Sequence, residues 1–164
     1  LRMVQITDLH VGLLNHNKSW LQKVVQKVNE LNADFIFLTG DLVEGDWSNV
    51  GEQLSPLSDS KARLGMIYVS GNHELIHGGI VWEKALAEKG WTVLHNENKV
   101  FSFLGARVLV AGVPDRMIRS FDARYESSPE KALKSTENAQ YKILLAHEPS
   151  SVLDLQSEKP NLLL

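Results

Sequence analysis

Short apolar runs alternate with amphipathic helical patterns in the first half of the chain, and this alternation restricts the fold more than any other feature. Three runs have the length of β-strands and are followed by turn or polar residues: 1–7, 34–40 and 65–71. Helical periodicity covers 19–32, with Ser19 as a cap, and 79–90, while a weaker pattern interrupted by Pro56 covers 48–62. This βαβαβα order predicts a largely parallel sheet covered by helices.

The pattern changes after residue 90. Short strands are predicted in the second half at 91–96, 99–105, 106–113, 141–149 and 160–164. The sequence "LGAR" predicts a tight hairpin turn between two of them, so some strands should be antiparallel. Short helical patterns occupy 129–138 and 150–156. The sequence therefore predicts an α/β fold with mixed sheets.

Composition limits the chemistry that is available. The chain has 164 residues, which suits one domain over 1–164, and without cysteine any metal must be held by His, Asp, Glu or Asn. Acidic and basic residues are interspersed and the net charge is −3, so we expect no nucleic-acid partner. No apolar stretch reaches the roughly 18 residues of a membrane-spanning helix.

Polar side chains suited to catalysis follow four of the predicted strands directly. In chain order they are Asp8, His10, Asp41, Asn72, His73, Glu74 and His147. Taken singly, an aspartate after a strand is more often a cap or turn residue, and a lone buried histidine more often a core group. Ligands bind at the carboxyl ends of strands in open α/β sheets, so four such strand ends together favour a site.

The donor set suits divalent metals such as Mn, Fe, Zn or Co. A carboxylate such as Asp41 can bridge two ions. Two neighbouring ions activate a water or hydroxide and stabilise the entering and leaving oxygens of a phosphoryl displacement. A single ion needs about four to six ligands, so at this point the donor set is compatible with one divalent ion or with two.

Four blocks carry a family resemblance: "DLH", "GDLVEG", "GNHE" and "LLAHEP". Their order resembles the motifs of the calcineurin-like metallophosphoesterase family, particularly a bacterial branch whose first motif is "ITDLHVG". The resemblance covers nearly the whole chain. It implies a four-layer α/β/β/α sandwich, and hydrolysis of phosphate esters by a hydroxide activated at a dinuclear metal centre, without a phosphoenzyme.

The resemblance also implies roles for individual residues. Five residues resemble metal ligands, with Asp8 and His10 on the first ion, Asn72 and His147 on the second, and Asp41 bridging the two. His73 resembles the residue that contacts the substrate phosphate and protonates the leaving group, a task suited to imidazole. Glu74 is expected to orient His73 or a metal ligand.

The final block of the family pattern, G-H-x-H, has no counterpart in this sequence. In the family it supplies one imidazole to each metal, and no histidine follows His147 here. The closing "PNLLL" resembles the other strands that lead into site residues. We therefore expect a C-terminally truncated domain whose natural chain continues with Gly, His, any residue and His. In this 164-residue form we expect weak or single-metal occupancy and little turnover.

Several other residues are weaker candidates. The remaining histidines are expected in structural or solvated positions, with a substrate-facing role left open for the second: His16, His77 and His95. Asp115 follows another strand, and the neighbouring Arg116 or Arg119 could contact phosphate, although a salt bridge or turn is the commoner role. Trp47 is either a wall of a substrate groove or a packed loop anchor.

The predicted function is hydrolysis of a phosphodiester or of a phosphate-containing lipid or envelope compound. One alternative is a phosphomonoesterase or nucleotide pyrophosphatase of the same fold, and another is a metal-poor binding domain without catalysis. The lipid preference follows from the resembling branch, some of whose members are anchored in membranes at the amino terminus. The predicted function is compatible with a cytoplasmic protein and with one attached to a membrane through a segment outside this sequence. The sequence does not indicate the oligomeric state.

Overall fold

Two four-stranded sheets form the centre of the molecule in the computed structural model, which describes residues 1–117, 123–135 and 137–164. The first sheet has the order β1-β2-β3-β4 and is parallel throughout, with strands Met3–Ile6, Phe35–Thr39, Gly65–Val69 and Thr92–Val93. The second has the order β5-β6-β7-β8, with strands Glu97–Phe103, Ala106–Gly112, Tyr141–Leu145 and Leu162–Leu163. In it, β5 and β6 form the predicted antiparallel hairpin and the remaining pairs are parallel.

The described helices are short except for the first. In chain order, α1 to α5 are Lys18–Glu30, Trp47–Val50, Asn72–Ile76, Ile80–Glu88 and Pro129–Leu133. Among the described residues, 3₁₀ helices also cover Gly51–Asp59, Ala123–Tyr125 and Pro149–Asp154. None of the described helices combines the length and apolar character that crossing a bilayer requires.

Three apolar layers separate the secondary structure into four. Strand β2 is buried along its whole length, and its alternate side chains enter different layers, as the period of two in a strand requires. Phe35 and Phe37 point between the sheets, where they meet Val110 and Ile143 of the second sheet. Ile36 packs in the layer shared with α1 and α4, while β6 and β7 pack against α5 in the third layer. The predicted α/β/β/α sandwich with mixed sheets is therefore confirmed.

Several local predictions were wrong in detail. Helix α1 is capped by Asn17, not Ser19, because Asn17 has an extended backbone and its side-chain oxygen accepts the N–H of Trp20 at 3.1 Å. The weak helix over 48–62 is one turn of α-helix followed by a 3₁₀ helix that contains Pro56.

Two further differences concern helices. The helix predicted over 129–138 ends at Leu133, since the next residue is extended, and position 136 lies outside the described residues. Helix α3 was not predicted, because five residues are too few to show a helical period.

The hairpin turn between β5 and β6 was predicted correctly. Leu104 and Gly105 have φ of 48° and 82°, and a two-residue turn of type I′ requires positive φ at both positions.

The carboxyl ends of both sheets meet at one edge of the molecule. The segment after β7 reaches the end of β2, where the His147 ring lies 2.9 Å from the carbonyl oxygen of Thr39. The segment after β6 reaches the end of β3, where the N–H of Asp115 donates to the carbonyl of Ser70. Loops from the two sheets are thereby brought together over a common edge.

Candidate metal centre

The loops after β1 and β2 carry three of the predicted ligands on unusual backbone. Asp8, His10 and Asp41 have φ of 54°, 42° and 50°, in the left-handed region that few residues other than glycine adopt. Main-chain hydrogen bonds hold the two loops side by side, from the N–H of Asp8 to Gly40 and from the N–H of His10 to Asp41. Such backbone is costly and clusters at functional sites, which supports a functional role for this pair of loops.

Two glycines allow the loops to approach closely. A Cβ on Gly71 would lie 2.3 Å from Oδ1 of Asp41, and one on Gly40 would lie 2.7 Å from Nδ1 of His147. Gly71 has a φ of −91°, which any residue can adopt, so its lack of a side chain serves the contact with Asp41 and not the backbone conformation.

Glu74 is a fully buried acid that fixes the Asp41 loop. Its carboxylate accepts the backbone N–H groups of Asp41, Leu42, Val43 and Gly71, and the hydroxyl of Tyr68. Burial, together with the nearby Asp41 charge, raises the pKa of Glu74 and outweighs the N–H donors of Gly71, Val43 and Leu42, which lower it. Its carboxylate thus holds the main chain of a predicted metal ligand.

Asp41 is the common member of two groups of potential metal donors. One group contains His10, Asp41 and His73, and the other contains Asp8, Asp41 and His147. From Oδ2 of Asp41, the Nε2 atoms of His10 and His73 are each 3.8 Å away and that of His147 is 3.3 Å away. Asp8 completes the second group from an exposed position, with its Oδ1 4.0 Å from Nε2 of His10.

These separations fit metal coordination. Nitrogen and oxygen ligands about 2.1 Å from a Zn or similar ion lie about 3.0–3.4 Å from one another. The measured spacings of 3.3–4.0 Å are at or just above that range. A mixed set of carboxylate and imidazole donors also matches Mn, Fe, Zn and Co. The side chains present are therefore suited to hold divalent ions.

His147 is linked to the first sheet by both ring nitrogens. Nε2 faces Asp41 and Nδ1 lies 2.9 Å from the carbonyl of Thr39. Burial alone would lower the pKa of His147, but the Asp41 carboxylate and the Thr39 carbonyl raise it to about 9. Burial has the opposite effect on an acid and raises the pKa of Asp41. Hydrogen bonds from His147 and His73 outweigh burial, so the pKa of Asp41 is lowered.

Glu44 is a site residue that the sequence interpretation did not single out. Its Oε2 lies 3.1 Å from Nδ1 of His10 and 2.7 Å from Nδ1 of His73, whose rings meet edge to face at 4.7 Å. The carboxylate thus lies behind two imidazoles whose other nitrogens face Asp41. Its position in "GDLVEG", three residues after Asp41, is the sequence signal that was available.

The sequence profile of the calcineurin-like phosphoesterase family matches residues 1–163. The chain belongs to this family. The match agrees with the order of the four motif blocks and with the two-sheet sandwich that brings their residues to one edge.

Two relatives and one solved structure are similar to most of this chain. It is 33% identical over 169 residues to a transmembrane protein with metallophosphoesterase domain from Danio rerio, covering 99% of this chain and 38% of that protein. An uncharacterized metallophosphoesterase of Helicobacter pylori is 34% identical over 158 residues, covering 95% and 40% respectively. The NAD nucleotidase of Haemophilus influenzae shares the fold with a TM-score of 0.60 and 17% identity, covering 93% of this chain and 39% of that one.

Another relative is similar to about half of this calcineurin-like phosphoesterase. The UDP-2,3-diacylglucosamine pyrophosphatase of Chlamydia trachomatis is 38% identical over 90 residues, which are 49% of this chain and 26% of that protein. The two full-coverage relatives are themselves much longer, since this chain spans about two fifths of their length.

The remaining predicted residues of this phosphoesterase lie as follows. Asn72 opens α3 beside His73 and is half-buried, and its role as a ligand stays a prediction. His77 pairs with Asp46 at 3.2 Å on the rim of the site. Trp47 packs against Trp82 with ring centroids 5.3 Å apart, yet 42% of it is exposed.

The weaker candidates have structural contacts. His16 stacks on Trp20, and His95 lies between the Glu83 carboxylate and the carbonyl of Arg124. Arg116 donates to the carbonyl of Ser150, consistent with the commoner role expected for it. Two others complete the set: Asp115 is buried and accepts the N–H of Met117, and Arg119 lies outside the described residues.

Proposed function

We propose that this chain forms the metal-binding part of a hydrolase that cleaves a phosphodiester or a phosphate-containing lipid or envelope compound with two divalent ions. The observation that carries the proposal is the position of Asp41, which belongs to both donor groups and can serve two ions at once. When bound, two such ions lower the pKa of water and offset negative charge on phosphate oxygens.

The chain's own residues divide the remaining work. Asp8, His10 and His147 would hold the ions with Asp41, and Glu74 fixes the loop that carries Asp41. Asn72 is proposed as a further ligand from the family resemblance. His73 presents Nε2 to the centre and Nδ1 to Glu44, so the carboxylate orients the ring. His73 is thereby positioned to contact a phosphate oxygen and to protonate the leaving group.

The substrate class draws on the relatives. One relative is named a pyrophosphatase of UDP-2,3-diacylglucosamine, and another is named a transmembrane protein. Both names agree with a phosphate compound of membranes or envelopes as the substrate. Mn, Fe, Zn and Co all suit the donors, and the choice among them is left to metal analysis.

The test compares hydrolysis of bis-p-nitrophenyl phosphate and p-nitrophenyl phosphate by the purified full-length gene product with added Mn²⁺. We expect the diester to be hydrolysed faster, and Asp41→Asn to lower turnover by about 100-fold or more because both ions lose a ligand. Asp59→Asn, at an exposed aspartate, is the matched control. Unchanged turnover in Asp41→Asn would contradict the catalytic proposal, and a preference for the monoester would contradict the substrate class.

A further inference from the structure

We propose that Glu44, His73 and His77 form a separate cation site on the rim of the centre, which takes Zn²⁺ and inhibits the hydrolase when occupied. This rim site rests on the proposed function for its inhibitory effect, but not for its ability to bind zinc. One ligand atom from each of the three residues lies within 4.8 Å of the other two. All three side chains are half-buried.

The two histidines have a spacing that is known from zinc sites. They lie four residues apart in "HELIH", and the N–H of His77 donates to the carbonyl of His73 at 3.0 Å, which closes one helical turn. Positions four apart on a helical turn share one face, and the pattern H-E-x-x-H supplies two zinc ligands in this way. Glu44 adds the carboxylate of a His₂Glu set, which leaves a coordination position open.

Glu74 excludes the peptidase chemistry that often accompanies this pattern. In a zinc peptidase the glutamate of H-E-x-x-H is the general base beside the metal. Here Glu74 is fully buried, and its carboxylate accepts four backbone N–H groups and a tyrosine hydroxyl. It cannot reach a water at the rim, so the pattern retains metal binding without that reaction.

The surroundings of the two rings support a ligand role. Nδ1 of His73 is buried and lies 2.7 Å from Glu44, yet it has no aligned hydrogen-bond partner among the described residues. Nδ1 of His77 lies 3.2 Å from Oδ1 of Asp46, which leaves Nε2 as the ligating nitrogen. A carboxylate behind a histidine in this manner orients the ring and strengthens its bond to zinc.

Occupation of the rim site would remove two groups from hydrolysis. His73 faces Asp41 with Nε2 and Glu44 with Nδ1, so an ion bound at Nδ1 would fix the ring that is proposed to contact the substrate phosphate. The Glu44 carboxylate would be bound to the same ion and could no longer orient His10 and His73 for hydrolysis. Excess zinc should therefore inhibit by adding an ion at the rim, whichever divalent ions occupy the donors around Asp41.

The test counts bound ions. Mn²⁺-loaded protein is titrated with Zn²⁺ in competition with a chromophoric chelator, and total Mn and Zn are measured after gel filtration. We expect the wild type to hold one more ion per chain than His77→Ala. The matched control is His95→Ala, because His95 is also a half-buried histidine 3.2 Å from a carboxylate, and it should behave like the wild type. Asp46→Asn should weaken the additional site by about tenfold.

Activity provides the second readout. His77→Ala should keep its Mn²⁺-dependent turnover within about twofold, and its half-inhibitory Zn²⁺ concentration should rise at least about tenfold, since the remaining His and Glu bind zinc weakly. Equal ion counts in wild type and His77→Ala, or equal zinc inhibition, would overturn the rim site. Absence of any hydrolysis by the full-length gene product would overturn the proposed function, while the ion count would still decide the rim site.

Discussion

At the scale of the residue, the site depends on side chains that each serve two neighbours. Asp41 faces three imidazoles with one oxygen and accepts the N–H of His73 with the other. Glu44 supports His10 and His73, and His147 joins Asp41 to a carbonyl of β2. Removing one such group therefore leaves two others without their orientation.

Glu44→Gln tests this dependence directly. We expect the affinity for divalent metal to fall by about 10–100-fold, because a neutral amide holds the rings of His10 and His73 less firmly than a carboxylate. Metal affinity is measured by competition with a chelator. Glu30→Gln, which changes an exposed acid paired only with Lys27 among its described contacts, is the control. Affinity unchanged by Glu44→Gln would show that the carboxylate has no orienting role.

His147 predicts how metal binding depends on pH. In the metal-free protein its pKa is raised to about 9, and a metal binds only the neutral ring. The ion that binds His147 must therefore displace a proton below that pH. We expect affinity to rise by about tenfold per pH unit through the neutral range and to level off near pH 9. A competition assay corrected for chelator protonation measures the slope, and a flat profile would contradict the prediction.

The residue scale also shows what sequence patterns can and cannot reveal. Asp8, Asp41 and His147 were predictable because each follows an apolar strand, and the structure brings them together. The partners of Glu44 and Glu74 were not, because they depend on which backbone groups the folded loops expose. A linear pattern records the type of a side chain but not the direction in which a left-handed turn points it.

At the scale of the element, the ends of strands matter more than their interiors. The strands of the first sheet were predictable because continuous apolar runs are typical of buried parallel strands. Strand β4 was predicted as six residues but has two, and helix α5 was predicted as ten residues but has five. Short elements are held by tertiary contacts, which a local period cannot show.

Gly71→Ala tests the close approach between β3 and the Asp41 loop. The added Cβ would meet Oδ1 and the backbone nitrogen of Asp41 at 2.3 and 2.4 Å, so the loop must move. We expect a loss of about 1–3 kcal/mol in unfolding free energy, together with weaker metal binding. Chemical denaturation and a chelator competition measure the two effects.

Gly105→Ala provides the comparison for that substitution. Its Cβ would meet nothing within 4 Å, although its φ of 82° is unfavourable for alanine. We expect this variant to lose some stability and to keep its metal affinity. Equal metal affinity in both variants would contradict the role of Gly71.

At the scale of the whole molecule, the apolar layer between the sheets holds the two halves of the site in place. Ligands of the first sheet and His147 of the second meet only because that layer sets the distance between the sheets. Family membership and the four-layer order were accessible from the sequence, through motif order and strand pattern. The pairing of strands across the layer was not, since apolar runs of similar composition pack equally well in several arrangements.

Phe37→Ala tests the layer. Phe37 is fully buried and stacks on Phe35 with ring centroids 5.5 Å apart. We expect a loss of about 3–5 kcal/mol in unfolding free energy, measured with urea, and reduced hydrogen-exchange protection in both sheets. Leu104→Ala, at a residue that is 92% exposed, should change the unfolding free energy by less than about 0.5 kcal/mol. Loss of protection confined to the first sheet would contradict a shared layer.

Each sheet is built from one continuous stretch of chain, residues 3–93 and 97–163, and this has a consequence for synthesis. The first sheet can form while the second is still being made on the ribosome, and it already carries Asp8, His10 and Asp41. His147 emerges 108 residues after its partner Thr39. A growing chain thus offers only part of the group formed by Asp8, Asp41 and His147 until the second stretch has left the ribosome, so metal binding by that group should follow the synthesis of β7.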